Sequence, residues 1–419
     1  MNKRQFIKTL AATSFTTPIF GKKSAKILSK FEQEIPEIIA QNEDYWAEIR
    51  RAYRIKPDYI NLENGYYSFA PQATLEAFVE HVREVNFQNS YYMRTRQFDD
   101  KANARNKLAT LAGCSQEELI ITRNTTESLD TVIAGYDWKP GDEAVMAMQD
   151  YGAMLDMFKL QARRYGIINK IISLPNHPKS DEEIVALYEK AITPKTRLLM
   201  VCHIVNITGQ ILPIKKISDM AHAKGVDVMV DGAHAFAHLD FKISDLACDY
   251  YASSLHKWLS VPLGAGLLYV KKDKIVKLWQ LFGDINYKDD DIRKLNHTGT
   301  HPVHTDLAIA DAIAFHQKIG IQRKEARLRF LQEYWTKQVR NLPNIVVNTP
   351  ADSQRACSIA NVGIKQIKPA DLAKILLEKY KIWTVAIDYA NVQGCRITPN
   401  VYTSTAELDT FVAALKELA

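Results

Sequence analysis

No run of about 18 apolar residues occurs in this 419-residue chain, so no segment is long enough to cross a bilayer as a helix. Cysteine is scarce and scattered. Cys114, Cys202, Cys248, Cys357 and Cys395 are odd in number and no two have CxxC spacing, which argues against a zinc site or a disulfide framework. Most of them read as small buried hydrophobes. A GxxxxGK[ST] loop is also missing, which argues against nucleotide-triphosphatase chemistry. There is no internal repeat and no low-complexity tract. Acidic residues are absent from the first 30 positions, which hold seven basic ones: Lys3, Arg4, Lys8, Lys22, Lys23, Lys26 and Lys30. The chain's 54 basic residues less these seven leave 47, against 48 acidic residues. The body is therefore nearly neutral, and nothing in it suggests a nucleic-acid-binding surface. Its 47% hydrophobic and 24% charged residues are those of an ordinary soluble globular protein.

The basic start is followed by a weakly apolar, Ser/Thr-rich stretch, "NKRQFIKTLAATSFTTPIF". It resembles a twin-arginine export signal with Lys3-Arg4 in place of two arginines, and so implies a periplasmic location. The alternative is a disordered N-terminal arm on a cytoplasmic protein.

Residues 31–64 read as helix then loop, a segment expected to pack with a small C-terminal domain. From 65 to 290, short apolar strands alternate with helix-like stretches, the signal of a layered α/β domain. The strands are expected at Glu118–Thr122, Glu143–Met148, Ile167–Leu174, Arg197–Ile204 and Val226–Val230, with two more on either side of Lys257. Their continuous Val/Ile/Leu/Met content predicts a mostly parallel sheet covered on both faces. A polar, turn-rich stretch near 283–305 marks a boundary. Residues 291–419 read as a smaller α+β domain that opens with a long helical stretch, about Asp306–Leu342.

Ligands of parallel α/β sheets sit at the carboxyl ends of strands, and several residues with chemical potential fall there. Lys257, in "SSLHKWLSVPLGAGLLYV", lies between two short strands. Shielding from water disfavours its charged form, and a neutral amine forms a Schiff base with an aldehyde. A surface lysine on a loop is the plainer reading. Asp231 follows the strand "VDVMV"; it either caps the next turn or holds a proton on a heteroaromatic nitrogen, as pyridoxal phosphate needs. Asn124 and Glu127 form a capping box, starting a helix near Thr125 whose N-terminus and Thr125/Thr126 hydroxyls suit a phosphate, or serve only as a cap. Tyr151 is placed either to stack on a planar ring or to line the core. Asn206 and Thr208 either donate to a phenolic oxygen or form a polar turn before Pro213.

The motifs "RNTTES", "HIVNITGQILPI", "VDGAHAFAHLD", "SSLHKWLSVPLGAGLLYV", "HTGTHPVH" and "CRITPNVYTSTAELDTFV", in this order and spacing, resemble the class V aminotransferases. These are pyridoxal phosphate enzymes of the type I aspartate aminotransferase-like fold, and the nearest branch in appearance is isopenicillin N epimerase-like. The resemblance implies that Lys257 links to the cofactor, Asp231 pairs the pyridinium and His234 lies beside the ring. It places Tyr151 where many relatives stack a histidine. It implies a phosphate site of Thr125, Thr126, Ser254 and His256. It also implies that Thr300 reaches a neighbouring subunit's phosphate in a homodimer, and that Arg396 grips a substrate α-carboxylate, for which a planar guanidinium is suited. Arg94, Arg96, His301 and His304 are candidates for substrate side-chain recognition, or are surface and inter-subunit charges.

The expected activity is proton transfer at the α-carbon of an amino acid, as transamination or epimerisation. Desulfurase or β-lyase chemistry is the alternative. Related desulfurases carry a nucleophilic thiol on a mobile loop, whereas Trp383–Asn391 has none and Cys395 directly adjoins Arg396. The remaining alternative is a scaffold that binds without catalysing, against which the Lys257–Asp231 pair argues.

Overall fold

The structure is a computed structural model that describes residue 20 and residues 22–283 and 285–419. The export-signal reading falls almost wholly on residues outside those described. Among the described residues, no helix is long and apolar enough to cross a membrane.

Seven strands form the main sheet: β1 (Leu119–Thr122), β2 (Glu143–Ala147), β3 (Ile168–Ile172), β4 (Thr196–Cys202), β5 (Asp227–Asp231), β6 (Tyr250–Ser254) and β7 (Gly266–Val270). Their order is β1-β7-β6-β5-β4-β2-β3. The β2–β3, β2–β4, β4–β5 and β5–β6 pairings are parallel, and β7 alone runs against its two neighbours. The continuous apolar runs have a direct cause. Leu199, Val201, Val228 and Val230 face one buried cluster, and Leu198, Met200 and Met229 face the other. Successive side chains point to opposite faces, so a strand covered on both sides must be apolar at every position. Each such fully buried side chain contributes roughly 1.5–3 kcal/mol.

Helices α1 (Gln72–Gln88), α2 (Thr125–Gly135), α3 (Gly152–Tyr165) and α4 (Ile214–Ala223) belong to this layer. Leu129, Val132 and Ile133 of α2 join Met154, Leu155 and Phe158 of α3 in one cluster. Ile214, Ile217 and Ala221 of α4 join the other. The long helical stretch expected after residue 305 is two helices, α5 (Val303–Ile319) and α6 (Ile321–Val339). Gly320, with φ 88°, breaks them apart, in backbone space that favours glycine.

The C-terminal part builds an antiparallel sheet from β8 (Ile345–Val347), β9 (Ala360–Ile364), β10 (Val385–Tyr389) and β11 (Val392–Ile397), in the order β10-β11-β9-β8. Its core includes Trp335 of α6 and Leu408 and Phe411 of α7 (Thr405–Leu418). Leu62 is buried in the same core, and the chain beside it is tied in by Leu62 N–H to Trp383 O (3.0 Å) and Thr398 N–H to Leu62 O (2.8 Å). These bonds fix the segment Glu63–Tyr66 at the junction of the two sheets' domains.

Candidate active site

A cavity of about 400 Å³ opens at the carboxyl edge of the main sheet. Five strand ends supply it: Asn124–Thr126 after β1, Tyr151 after β2, Asn206 after β4, Asp231 ending β5, and Ser254 ending β6 with His256 and Lys257 after it. The sequence reading placed Asp231 just past its strand; it is the strand's last residue. Gly232 follows because a Cβ there would lie 1.9 Å from Tyr251 Cζ. The strand end can therefore tuck against that buried ring only if the next residue has no side chain.

Lys257 is half-buried, with Nζ 3.1 Å from His234 Nε2. Burial, reinforced by the Arg396 cation and opposed by Asp231 and Glu63, pulls its amine down to about 8. Asp231 is buried, and its Oδ1 accepts Ala233 N–H at 3.0 Å. Burial raises its carboxyl above the ordinary range, against the opposing pull of that N–H and of Lys257. Among the described residues the Asp231 carboxyl group has no other hydrogen bond. A buried carboxyl facing a cavity with one oxygen unpaired fits a cationic ring N–H such as pyridoxal phosphate presents.

The other end of the cavity fits an anion. Asn124 Oδ1 accepts Glu127 N–H at 2.9 Å and starts α2 at Thr125 as expected, but the capping box is not closed, because the Glu127 carboxylate accepts Arg123 N–H at 2.6 Å instead. Thr125 is locked to Ser254, hydroxyl to hydroxyl at 2.7 Å and N–H to Oγ at 2.9 Å. The helix N-terminus, Thr126, Ser254, His256 and Arg123, whose Nε and Nη2 also donate to Glu127 at 3.1 and 3.0 Å, line this cavity together, and the partial positive charge of the helix end favours a phosphate there. His256 Nδ1 is buried without a partner. Tyr151 caps α3 and lines the wall, 47% exposed, as a ring-stacking residue would.

Arg396, on β11, lines the wall fed by the small sheet. Its guanidinium is more constrained than the sequence suggested. Nε and Nη2 donate to the Glu63 carboxylate at 3.2 and 2.6 Å, and Nη1 donates to Asn206 O at 3.3 Å. Glu63 also accepts Tyr66 N–H at 2.9 Å. Gly65 packs against the guanidinium, where a Cβ would come within 3.0 Å of Cζ. Glu63 thus takes one edge of the fork and leaves the Nη1/Nη2 edge for a planar anion.

Two expected cofactor residues lie elsewhere. Thr208 is buried outside the cavity lining; its hydroxyl accepts Gln210 N–H at 3.3 Å and its carbonyl accepts the Thr349 hydroxyl at 2.6 Å. It is turn-forming, because the chain folds back there. Asn206 does line the cavity, its Oδ1 buried without a partner. Thr300 is exposed and does not line this cavity. Arg94 and Arg96 are also exposed, Arg96 lying 3.5 Å from Asp100. His301 meets Lys101 (2.9 Å) and Asp306 (3.2 Å), and His304 packs on Phe78. Cavity residues that the sequence reading assigned no role there include Arg123, Gly65, Tyr66 and Cys202.

The family model described as Aminotransferase class-V matches residues 63–388. The isopenicillin N epimerase of Streptomyces clavuligerus is 26% identical over 390 residues, covering 89% of this chain and 98% of its own. A probable cysteine desulfurase of Halalkalibacterium halodurans is 26% identical over 351 residues, 78% of this chain and 85% of its own. Among solved structures, the apo cysteine desulfurase of Thermococcus onnurineus NA1 superposes with a TM-score of 0.79 at 22% identity, covering 90% of this chain and 98% of that one.

Proposed function

The chain belongs to the class V aminotransferase family, a family of pyridoxal-phosphate-dependent enzymes, and from that premise we propose that it moves a proton at the α-carbon of an amino acid, as an aminotransferase or epimerase, without removing sulfur. When bound, pyridoxal phosphate supplies an aldehyde for covalent attachment and a ring that withdraws the electron pair of a breaking bond. The chain's residues do the rest. Lys257, with its amine near 8, is about a tenth free base at pH 7; it is the nucleophile for that attachment and then the base that takes the α-proton. With the cofactor bound, Asp231 would hold a proton on its ring nitrogen, Tyr151 would pack on the ring, and Thr125, Thr126, Ser254, His256 and Arg123 would hold its phosphate. Arg396, oriented by Glu63, binds the substrate carboxylate.

The observation that carries this reading is where the thiols lie. Cys395 is fully buried on β11, its Sγ toward Pro369 O at 3.7 Å. Neighbours on a strand face opposite ways, so Arg396 facing the cavity turns Cys395 into the small-domain core. Cys202 does line the cavity, yet it ends a central strand and burial drives its thiol pKa well up, so no thiolate forms there. Cys248 and Cys357 are buried, and Cys114 does not line the cavity. The desulfurase names among the relatives favour a second reading, sulfur release from cysteine. Incubation with L- and D-amino acids in deuterated water separates the two. Deuterium uptake at the α-carbon with the side chain intact is expected. Sulfide release from L-cysteine, lost on Cys202→Ser or Cys395→Ser, would establish the second reading instead.

The same reading includes a homodimer. Thr300 is exposed outside its own chain's cavity, as suits a residue that completes a partner's phosphate site. The surface also carries exposed apolar side chains: Leu75, Val79 and Val82 form a stripe along α1, Phe87 (84%) and Tyr91 (68%) lie at and beyond its end, and Leu263 (57%) is exposed at the cavity. A second copy buries such a face at an isologous interface. Sedimentation equilibrium should return twice the chain mass, and a monomer at micromolar concentration overturns this assignment.

A further inference from the structure

Trp258, the residue after the lysine, is fully enclosed, and its indole N–H points at His234 Nδ1 across 3.4 Å. An indole nitrogen only donates, so Nδ1 must accept. A neutral imidazole carries a single proton, which is then on Nε2, the atom 3.1 Å from Lys257 Nζ. We propose that Trp258 is a positioning residue that fixes His234 in its Nε2–H tautomer and so aims an N–H at the Lys257 amine. The opposite tautomer sets two N–H donors head to head in a buried place and leaves both unpaired. Burial, with the Lys257 and Arg396 cations nearby, holds His234 well below the usual imidazole range, so the neutral ring is the relevant form.

Two contacts hold the tryptophan for this task, and a third holds its acceptor. Lys324 Nζ donates to its carbonyl. His238 stacks on its indole, ring centroids 3.8 Å apart at 29°. His238 Nδ1 in turn bonds the His234 carbonyl at 2.7 Å, so the ring that packs on Trp258 also pins the backbone of its acceptor. Once Lys257 has lost its proton, the N–H delivered at Nε2 meets the lone pair of the neutral amine and fixes its direction. This favours the free-base lysine, which is the nucleophilic form.

The inference rests on Lys257 being the cofactor-linking amine, and it is tested on full-length apoprotein, apart from any turnover. In protein carrying ¹⁵N-labelled histidine at about pH 9, above the Lys257 amine's value of about 8 and with the His234 signals identified by their loss in His234→Gln, Nε2 should be protonated and Nδ1 not. The reverse pattern in the wild type overturns the proposal without any Trp258 variant. Trp258→Phe keeps the stacked ring and removes only the N–H. The His234 signals should then shift to a mixture of tautomers while circular dichroism is unchanged; unchanged signals overturn the proposal. Covalent uptake of pyridoxal phosphate by that apoprotein should slow roughly tenfold, the equivalent of one lost hydrogen bond. Wild-type uptake would show that the donor does not serve Lys257.

Discussion

Lys257→Ala yields a folded protein that binds pyridoxal phosphate without a covalent link and has lost at least about 10⁴-fold of its turnover, since one side chain supplies both the attaching nucleophile and the base. No second amine can stand in. Lys257 is the sole lysine among the residues lining the cavity, and the cations beside it there are Arg123 and Arg396, which do not lose their protons in the accessible range. The loss is separable from unfolding by the sign of the charge effect. The lysine's amine is depressed to about 8 in the folded chain, below its unfolded value of about 10.4. Between those values the unfolded chain binds the proton more readily, so stability rises with pH there, and at pH 7 the buried cation is a cost. Removing it should leave the apoprotein's melting temperature unchanged or higher. The measurement is borohydride reduction followed by peptide mass mapping. The wild type should carry the cofactor's mass at residue 257, and a stable reduced adduct on any other lysine of the variant would refute the assignment.

Local patterns made part of this site readable in the sequence. The strand carrying Asp231 shows as an apolar run because both its faces are covered, and the start of α2 shows through Asn124 and Glu127 because a cap is set by neighbours three residues apart. Lys257 shows through its place between two strands. What stayed hidden depends on contacts far along the chain. Glu63 meets Arg396 across 333 residues, in a segment whose own pattern says only helix and loop. Gly65 and Tyr66 reach the cavity by the same route, through Leu62's bonds to Trp383 and Thr398. Arg123 lies within "RNTTES", yet no local sequence signal marks its place at the cavity beside the two threonines. Thr208 was read into the site because it follows a strand two residues after Asn206. The turn there brings Val205 N–H to Gln210 O at 2.9 Å, and that reversal leaves Asn206 at the cavity and Thr208 behind it. Spacing from a strand end is thus a good guide for one or two residues and fails once the backbone reverses.

Asp231→Asn should slow exchange of the α-proton by roughly a thousandfold while pyridoxal phosphate remains bound. Two unit charges about 4 Å apart, at an effective dielectric of about 20, attract by about 4 kcal/mol, and that much lost from the barrier is about three powers of ten in rate. Asparagine is nearly isosteric, and its carbonyl oxygen can still accept the Ala233 N–H that now reaches Oδ1, so the turn after β5 survives. What it cannot do is hold a proton on the ring nitrogen by opposite charge. The apoprotein supplies an independent check. Burial raises the Asp231 carboxyl above its unfolded value, so the folded chain binds that proton more readily and stability falls as pH rises through the window between the two values. At pH 7 the variant apoprotein should therefore melt at or above the wild type, and the gap should close below the ordinary carboxyl range, where both side chains are neutral. Addition of pyridoxal phosphate should then stabilise the wild type more than the variant, because only the wild type pairs a carboxylate with the ring. Near-wild-type deuterium exchange together with equal stabilisation by the cofactor would mean that Asp231 serves only to cap the turn at Ala233, and the electron-withdrawing state of the ring would have to be held by another group.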